Sequence, residues 1–404
     1  MKQAPVLVVG GGIGGLACAL ALARVGRRVH VLESAQRFGE IGAGIQLAPN
    51  AIRCLRALGI LEALQATAVR PRELVYMDAV ANERITSVDL GAPFLERYGD
   101  PYMVIHRGDL HLALLKACMA QPLITLETNR RVTVCEDNGD AVRVRCADGS
   151  QYQAEALIGA DGLHSVIRPL ISDDSPVASE FVAYRGTIPY SQVASHVGAD
   201  SMVMWVAPDL HFIQYKVRAG DLYNQVAVFR SNRYSGDHDD WGTPEELDEH
   251  FSVCAQPVRD GAALLDRGMH WPMYDREPIG NWTRNRLTLL GDAAHPMLQY
   301  LAQGGCQAIE DAVSLADCVS EYADVSTAFI AYQTQRIPRT GRVQRTARMF
   351  GEISHIGGVG IKLRNALFAQ KDPRDYQQFD WLYENRSDDG GPLLASGSRQ
   401  DASL

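Results

Sequence analysis

Three groups of residues in this 404-residue chain have types and spacings that could do chemistry. The first is Gly10-x-Gly12-x-x-Gly15, set between the apolar run 5–9 and an Ala/Leu-rich stretch that ends at Gly26. Glycines at this spacing let a backbone turn tightly from strand to helix and approach a pyrophosphate lying on the helix N-terminus. Glu33 closes the next apolar strand, 28–33. An acid there accepts hydrogen bonds from a ribose diol and disfavours a 2′-phosphate, so FAD or NAD is expected rather than NADP. The second group is LTLLGDAAHPMLQYLAQGGCQAIEDA, 287–312, where a strand delivers Gly291-Asp292, Pro296 stiffens a loop and Gly304-Gly305 opens a helix. Asp292 could hold a polyol chain or merely cap a helix, while the helix N-terminus could stabilise negative charge on a ring. The third is His211 with Tyr215, in HFIQYKV. Period-two alternation puts His211, Ile213 and Tyr215 on one face and Phe212 and Gln214 on the other, so an imidazole and a phenol share one wall. Taken alone, such a histidine is more often structural, and such a tyrosine is more often a core residue with a bonded hydroxyl.

The elements that must position these groups follow from periodicity. Strand 5–9, helix 15–25 and strand 28–33 form a βαβ unit with a parallel sheet. An amphipathic helix is expected over 52–64, strand-like alternation over 74–90, a loop over 93–101 and a helix over 107–119. Three strands follow, 125–136, 141–147 and 151–159, around the turn Asp148-Gly149. Residues 182–230 are β-rich; 243–255 and 257–266 are helix-like; 287–290 is a buried strand. Helical periodicity returns from 309 and over 328–350, where Pro338 should break or kink it. The fold class is α/β: a Rossmann-like dinucleotide-binding domain interleaved with a β-rich substrate domain, then a C-terminal helical segment. The expected division is 1–72, 103–172 and 277–350 for the first domain, 73–102 and 173–276 for the second, and 351–386 for the helical segment. A Gly/Ser/Asp-rich tail, 387–404, is expected to be disordered.

Composition bounds the function. Apolar residues make up 46% and charged residues 22%, ordinary globular usage. The net charge of −9 leaves no basic excess for nucleic acid. Eight cysteines show neither a C-x-x-C pair nor a zinc spacing, which suits reduced thiols in a cytoplasmic protein, and no metal is expected. The apolar N-terminus superficially suggests a signal peptide, but five glycines interrupt it. No run reaches the ~18 apolar residues of a membrane span. The arginines at 336, 339, 342, 345 and 348 suggest a helix that is solvated or faces the dinucleotide domain, and the tryptophans at 271, 282 and 381 suggest packing. Acidic 237–240 suggests a solvated loop, and apolar 353–368 a subunit interface.

GGGIGGLACALALARVG…VLE, GADGLHSVIR at 159–168 and GDAAHP at 291–296 occur in the order and spacing of the group A flavoprotein aromatic hydroxylases, which the chain resembles over about residues 5–385. The resemblance implies tightly bound FAD, held by Gly10, Gly12, Ile13, Gly14, Gly15 and Glu33 at the ADP end. Asp161-Gly162 would serve both FAD and the nicotinamide, and Asp292 the ribityl chain. Gly44, Arg107, Val132, Pro296, Gly304 and Gly305 would complete the cofactor contacts. NADH is implied as a transient co-substrate without a fold of its own, and no second G-x-G-x-x-G follows a strand. The family resemblance also implies a homodimer. Further segments, among them EIGAGIQLAPN, AYRGTIPY, HFIQYKVR and HPMLQYLAQG, resemble the 3-hydroxybenzoate 6-hydroxylases. By that resemblance His211 is the base that activates the phenol, Tyr215 and Gln299 hold the substrate, and Tyr102 lines the pocket. The implied reaction makes 2,5-dihydroxybenzoate (gentisate) from 3-hydroxybenzoate and O2 through a flavin C4a-hydroperoxide. Salicylate or 6-hydroxynicotinate is the alternative substrate; a simple NAD-dependent dehydrogenase or a non-catalytic FAD-bound redox partner is the more distant reading.

Overall fold

The computed structural model describes residues 1–39, 42–193, 200–235 and 241–384. The expected tail and the acidic stretch 237–240 lie outside these residues. Two sheets organise the rest. In the first, Leu287–Leu289, Gln151–Gly159, Lys2–Val9, Val29–Leu32 and Ile124–Glu127 lie side by side and parallel. Lys2–Val9 at the centre is buried from Val6 onward, which is why it reads as a continuous apolar run. The helix Ile13–Arg24 packs on this sheet with ten of its twelve residues buried. The second sheet holds Trp271–Asp275, Val177–Pro189, Leu222–Arg230, Leu210–Val217, Ser201–Ala207, Glu73–Asp78 and Arg84–Asp89. All its pairings are antiparallel except Ser201–Ala207 with Glu73–Asp78. The α/β class, the interleaving and the C-terminal helices are as the sequence implies.

Four local expectations change. Residues 93–101 are not a loop: Ala92–Tyr98 is a helix. Pro93 sits in its first turn, where a missing N–H costs nothing, and Gly99, at φ +72°, closes it. Phe94 and Tyr98, one turn apart, are both buried with ring centroids 4.8 Å apart. The helix expected over 52–64 is two, Pro49–Ala57 and Leu61–Gln65, parted at Gly59 with φ +70°. The three strands expected over 125–159 are four, because Asn129, at positive φ, divides the first into Ile124–Glu127 and Val132–Asp137. Finally, Val325–Ser354 runs through Pro338 without a break. A helix-interior proline costs about 3 kcal/mol. Here Arg336 and Thr340 are buried on either side of it, so tertiary packing holds the helix together.

Candidate active site

Three adjacent parallel strands end at the same edge of the first sheet, and each is followed by one of the motifs. Lys2–Val9 leads into Gly10, Gln151–Gly159 into Asp161-Gly162, and Leu287–Leu289 into Gly291-Asp292. This is the edge at which open α/β sheets bind ligands. A cavity of about 1010 Å³ starts there and runs to the second sheet. That is the top of the ~300–1,000 Å³ range for small-molecule and cofactor pockets.

At the cavity's first end the backbone is packed too closely for side chains. A Cβ on Gly15 would lie 2.0 Å from the Gly10 carbonyl oxygen, and one on Gly10, at φ +110°, 2.3 Å from that of Ala160. The helix that follows has no side-chain cap and no acid in its first turn, so its N-terminal N–H groups keep their affinity for an anion. Gly304–Glu321 also starts at this cavity uncapped and without an early acid. Two uncapped helix N-termini and a glycine cradle fit a dinucleotide diphosphate. Glu33 does more than the sequence suggested: its carboxylate accepts from the backbone N–H of Gly11 and of Ala35, both at 2.7 Å, and so fastens the loop to the second strand. Asp161 accepts from Ser165 Oγ at 2.5 Å and Val166 N at 2.7 Å while burial pushes its carboxyl upward.

The loop after Leu289 is held from behind by a buried charge network. Asp311 Oδ2 accepts from Gly291 N at 3.0 Å and from His295 Nε2 at 2.6 Å. Its Oδ1 accepts from Arg336 Nε at 2.7 Å, and Arg336 and Arg339 both reach Glu310. Burial pushes the two carboxyls up; the arginines, and His295 beside Asp311, overcome it and hold both below the ordinary range. Removing one partner of such a set leaves an uncompensated buried charge, costing about 3–5 kcal/mol. Arg336→Ala should therefore melt well below wild type and purify with less cofactor; an unchanged melting temperature contradicts this account of the loop. Arg168, buried, joins two motifs by donating to the carbonyls of Ala293 at 2.8 Å and Ala294 at 2.7 Å.

At the other end, the strand Leu210–Val217 presents His211, Ile213 and Tyr215 to the cavity. Phe212 turns away, edge-on to Phe251, and Gln214 accepts from Trp205 Nε1 at 3.1 Å. Tyr102 donates to Gln46 Oε1 at 2.6 Å, and Tyr215 bonds to the same side chain. Burial raises both phenols, so they stay protonated. A Cβ on Gly44 would lie 2.6 Å from the Tyr215 ring, which explains a glycine there. His211 is buried, and burial, then its neighbour His355, pushes it well below the usual histidine value. It is neutral at pH 7.

Of the residues singled out from sequence, Gly10, Gly12, Ile13, Gly14, Glu33, Gly44, Tyr102, Arg107, Val132, Asp161, Gly162, His211, Tyr215, Asp292, Gln299, Gly304 and Gly305 all line this one cavity. Gly15 and Pro296 lie outside its lining: Gly15 packs under Gly10, and the Pro296 carbonyl accepts from Gln344. Gln46, Arg168, Asp311, Arg336 and His355 were missed. Gln46, Arg168 and Asp311 sit inside quoted motifs without a role, and Arg336 belongs to an arginine stripe whose spacing fits either a solvated or a domain-facing helix and names no acidic partner.

A family described as FAD binding domain matches residues 3–347. The chain is 37% identical over 396 residues to a 3-hydroxybenzoate 6-hydroxylase of Klebsiella oxytoca, covering 96% of this chain and 98% of that one. It is 40% identical over 385 residues to one of Polaromonas naphthalenivorans, covering 94% and 95%. Among solved structures it is similar to Klebsiella pneumoniae HpxO complexed with FAD and uric acid, at 28% identity, a TM-score of 0.79 and 92% coverage of both chains. Cradle, cavity and comparisons agree: the chain belongs to the FAD binding domain family and is a flavoprotein aromatic monooxygenase.

Proposed function

We propose that this enzyme hydroxylates 3-hydroxybenzoate para to its hydroxyl, giving gentisate, with NADH and O2 as co-substrates. The observation that carries the reading is the shared wall: a neutral, buried imidazole and a protonated phenol face the cavity that begins at the glycine cradle. Relatives of that activity match almost the whole chain.

FAD, when bound and reduced, supplies the activation of O2. The chain's own residues do the rest. Gly10, Gly12, Ile13 and Gly14 would receive the diphosphate on backbone N–H groups, with Gly15 fixing the turn beneath. Arg107, Asp161, Gly162, Asp292, Gly304 and Gly305 line the cavity beyond and would hold the rest of the cofactor. Gln299 and Tyr215 hold the aromatic acid, and Tyr102 lines the pocket. His211 takes the phenol proton, which makes the ring electron-rich ortho and para to oxygen and so primes the para carbon for attack. The second sheet covers the reacting ring and keeps water out. The domain division at 73–102 and 173–276 is part of this reading, supported by the strands Glu73–Asp78, Arg84–Asp89 and Val177–Pro189 all entering the second sheet. So is a cytoplasmic homodimer. The described cysteines are all free. The helix Val359–Ala369 exposes Val359, Leu363 and Leu367 on one side, a face suited to a second copy. Gel filtration showing only monomer at micromolar protein would remove the dimer.

To test the substrate, purified protein is offered 3-hydroxybenzoate, salicylate, 4-hydroxybenzoate and 6-hydroxynicotinate in parallel, and NADH oxidation is followed. The largest stimulation is expected with 3-hydroxybenzoate. Larger stimulation by salicylate, with catechol formed, would overturn the assignment while leaving the enzyme class intact.

A further inference from the structure

A second histidine stands behind the first. His211 Nδ1 lies 2.8 Å from His355 Nε2, and the two rings meet edge to edge and nearly parallel, with centroids 5.0 Å apart and an interplanar angle of 17°. Phe181 stacks on His355 at 4.6 Å, and Tyr300 meets both imidazoles edge-on, at 5.5 and 5.3 Å. The site is built to hold this pair. Gly351, one turn before His355, has no side chain because a Cβ would lie 2.4 Å from the Tyr300 ring. The His355 carbonyl accepts from Asp209 N at 3.2 Å, which ties the end of the helix Val325–Ser354 to the turn before the His211 strand.

With Nδ1 engaged, Nε2 is the His211 nitrogen left for the cavity. Two neutral imidazoles in contact share one N–H, so two arrangements exist. If His355 Nε2–H donates, His211 presents an N–H to the cavity and cannot take a proton. If His211 Nδ1–H donates, Nε2 presents its lone pair. We propose that His355 is the positioning residue for His211: by accepting its Nδ1–H it fixes the tautomer whose Nε2 faces the substrate, and it stabilises the imidazolium once the phenol proton has moved. In that step the phenol O–H breaks, an Nε2–H forms, and the Nδ1–H···Nε2 bond to His355 becomes charge-assisted.

The surroundings suit a neutral acceptor. Burial, then the Arg364 guanidinium, pushes His355 down to about 3, so its acceptor nitrogen is available at any pH at which the enzyme works. Other polar or charged groups on elements packed here include Tyr300, Tyr76 with its bond to Ser354, and Asp78, which lies near Arg364 and accepts from Asn365. This proposal rests on His211 being the base.

The test compares His355→Phe, which keeps a flat ring in the stack, with His355→Gln, whose amide oxygen can still accept from Nδ1. FAD content, 3-hydroxybenzoate affinity, the pH profile of hydroxylation and the ultraviolet difference spectrum of bound 3-hydroxybenzoate, which reports its phenolate, are measured on the holoenzymes. His355→Phe is expected to lose about tenfold or more of the rate at neutral pH, to recover as pH rises, and to show the bound phenolate only at higher pH. His355→Gln is expected to restore most of both. A loss in His355→Phe that is flat across pH, an equal loss in both variants, or no loss overturns the proposal. His211→Ala run alongside separates the failures: a wild-type rate there removes the base reading itself, whereas a pH-dependent loss in His211→Ala with none in His355→Phe removes only the role of His355.

Discussion

Replacing His211 by alanine should leave a yellow, folded protein that hydroxylates about 10²–10⁴-fold more slowly at neutral pH, the range that a positioned general base contributes. The loss should shrink about tenfold for each pH unit gained, until the substrate phenol ionises without help. The sign follows from the pocket. Burial and His355 hold His211 well below the usual histidine value, so in wild type it stays an unprotonated base as pH falls through 6.5, and the rate should not fall there on its account. Stopped-flow or steady-state product formation from pH 6 to 10 in both proteins checks this. A variant with unchanged hydroxylation, or one whose deficit does not narrow with pH, would show that His211 is only part of the wall.

The second large effect lies at the other end of the cavity. Gly15→Ala should yield a protein without flavin colour. The new Cβ would meet the Gly10 carbonyl oxygen at 2.0 Å and its carbon at 3.0 Å, both backbone atoms that cannot swing aside. Relief requires moving the turn that presents the N–H groups to the diphosphate, so both the loop and the affinity suffer. Overpacking of this kind costs about 1–3 kcal/mol in stability and occasionally more. The control is Gly39→Ala, where a Cβ meets nothing within 4 Å. The 450 nm to 280 nm absorbance ratio after gel filtration gives the outcome directly. A Gly15→Ala protein with full flavin would mean that the turn is more plastic than its contacts allow.

The legible parts of this protein were those whose signal is local. A glycine cradle between a strand and a helix, an acid closing the next strand, and alternation along HFIQYKV each declare themselves within a few residues, and each lands on the cavity. What escaped depends on distant partners. His355 lies 144 residues from His211 and falls in a stretch that reads only as apolar. Arg336 reads as one of five arginines on a solvated or domain-facing helix; it is domain-facing, buried on Asp311 and Glu310, while Arg348 on the same stripe reaches Asp275 and Glu277, and the sequence names none of these partners. Spacing along one helix carries no information about acids on another. Pro93 misled for a local reason: a proline reads as a loop unless the buried Phe94 and Tyr98 pair and the Gly99 stop are read with it.

The central claim is that the shared His211–Tyr215 wall directs oxygen from O2 onto the carbon para to the hydroxyl of 3-hydroxybenzoate. Its most direct test is one turnover experiment under ¹⁸O2 with NADH and 3-hydroxybenzoate, with products separated and weighed by mass spectrometry. The predicted result is gentisate carrying a single ¹⁸O, with little hydrogen peroxide. A 2,3- or 3,4-dihydroxybenzoate, unlabelled product, or NADH consumed to peroxide alone would contradict it.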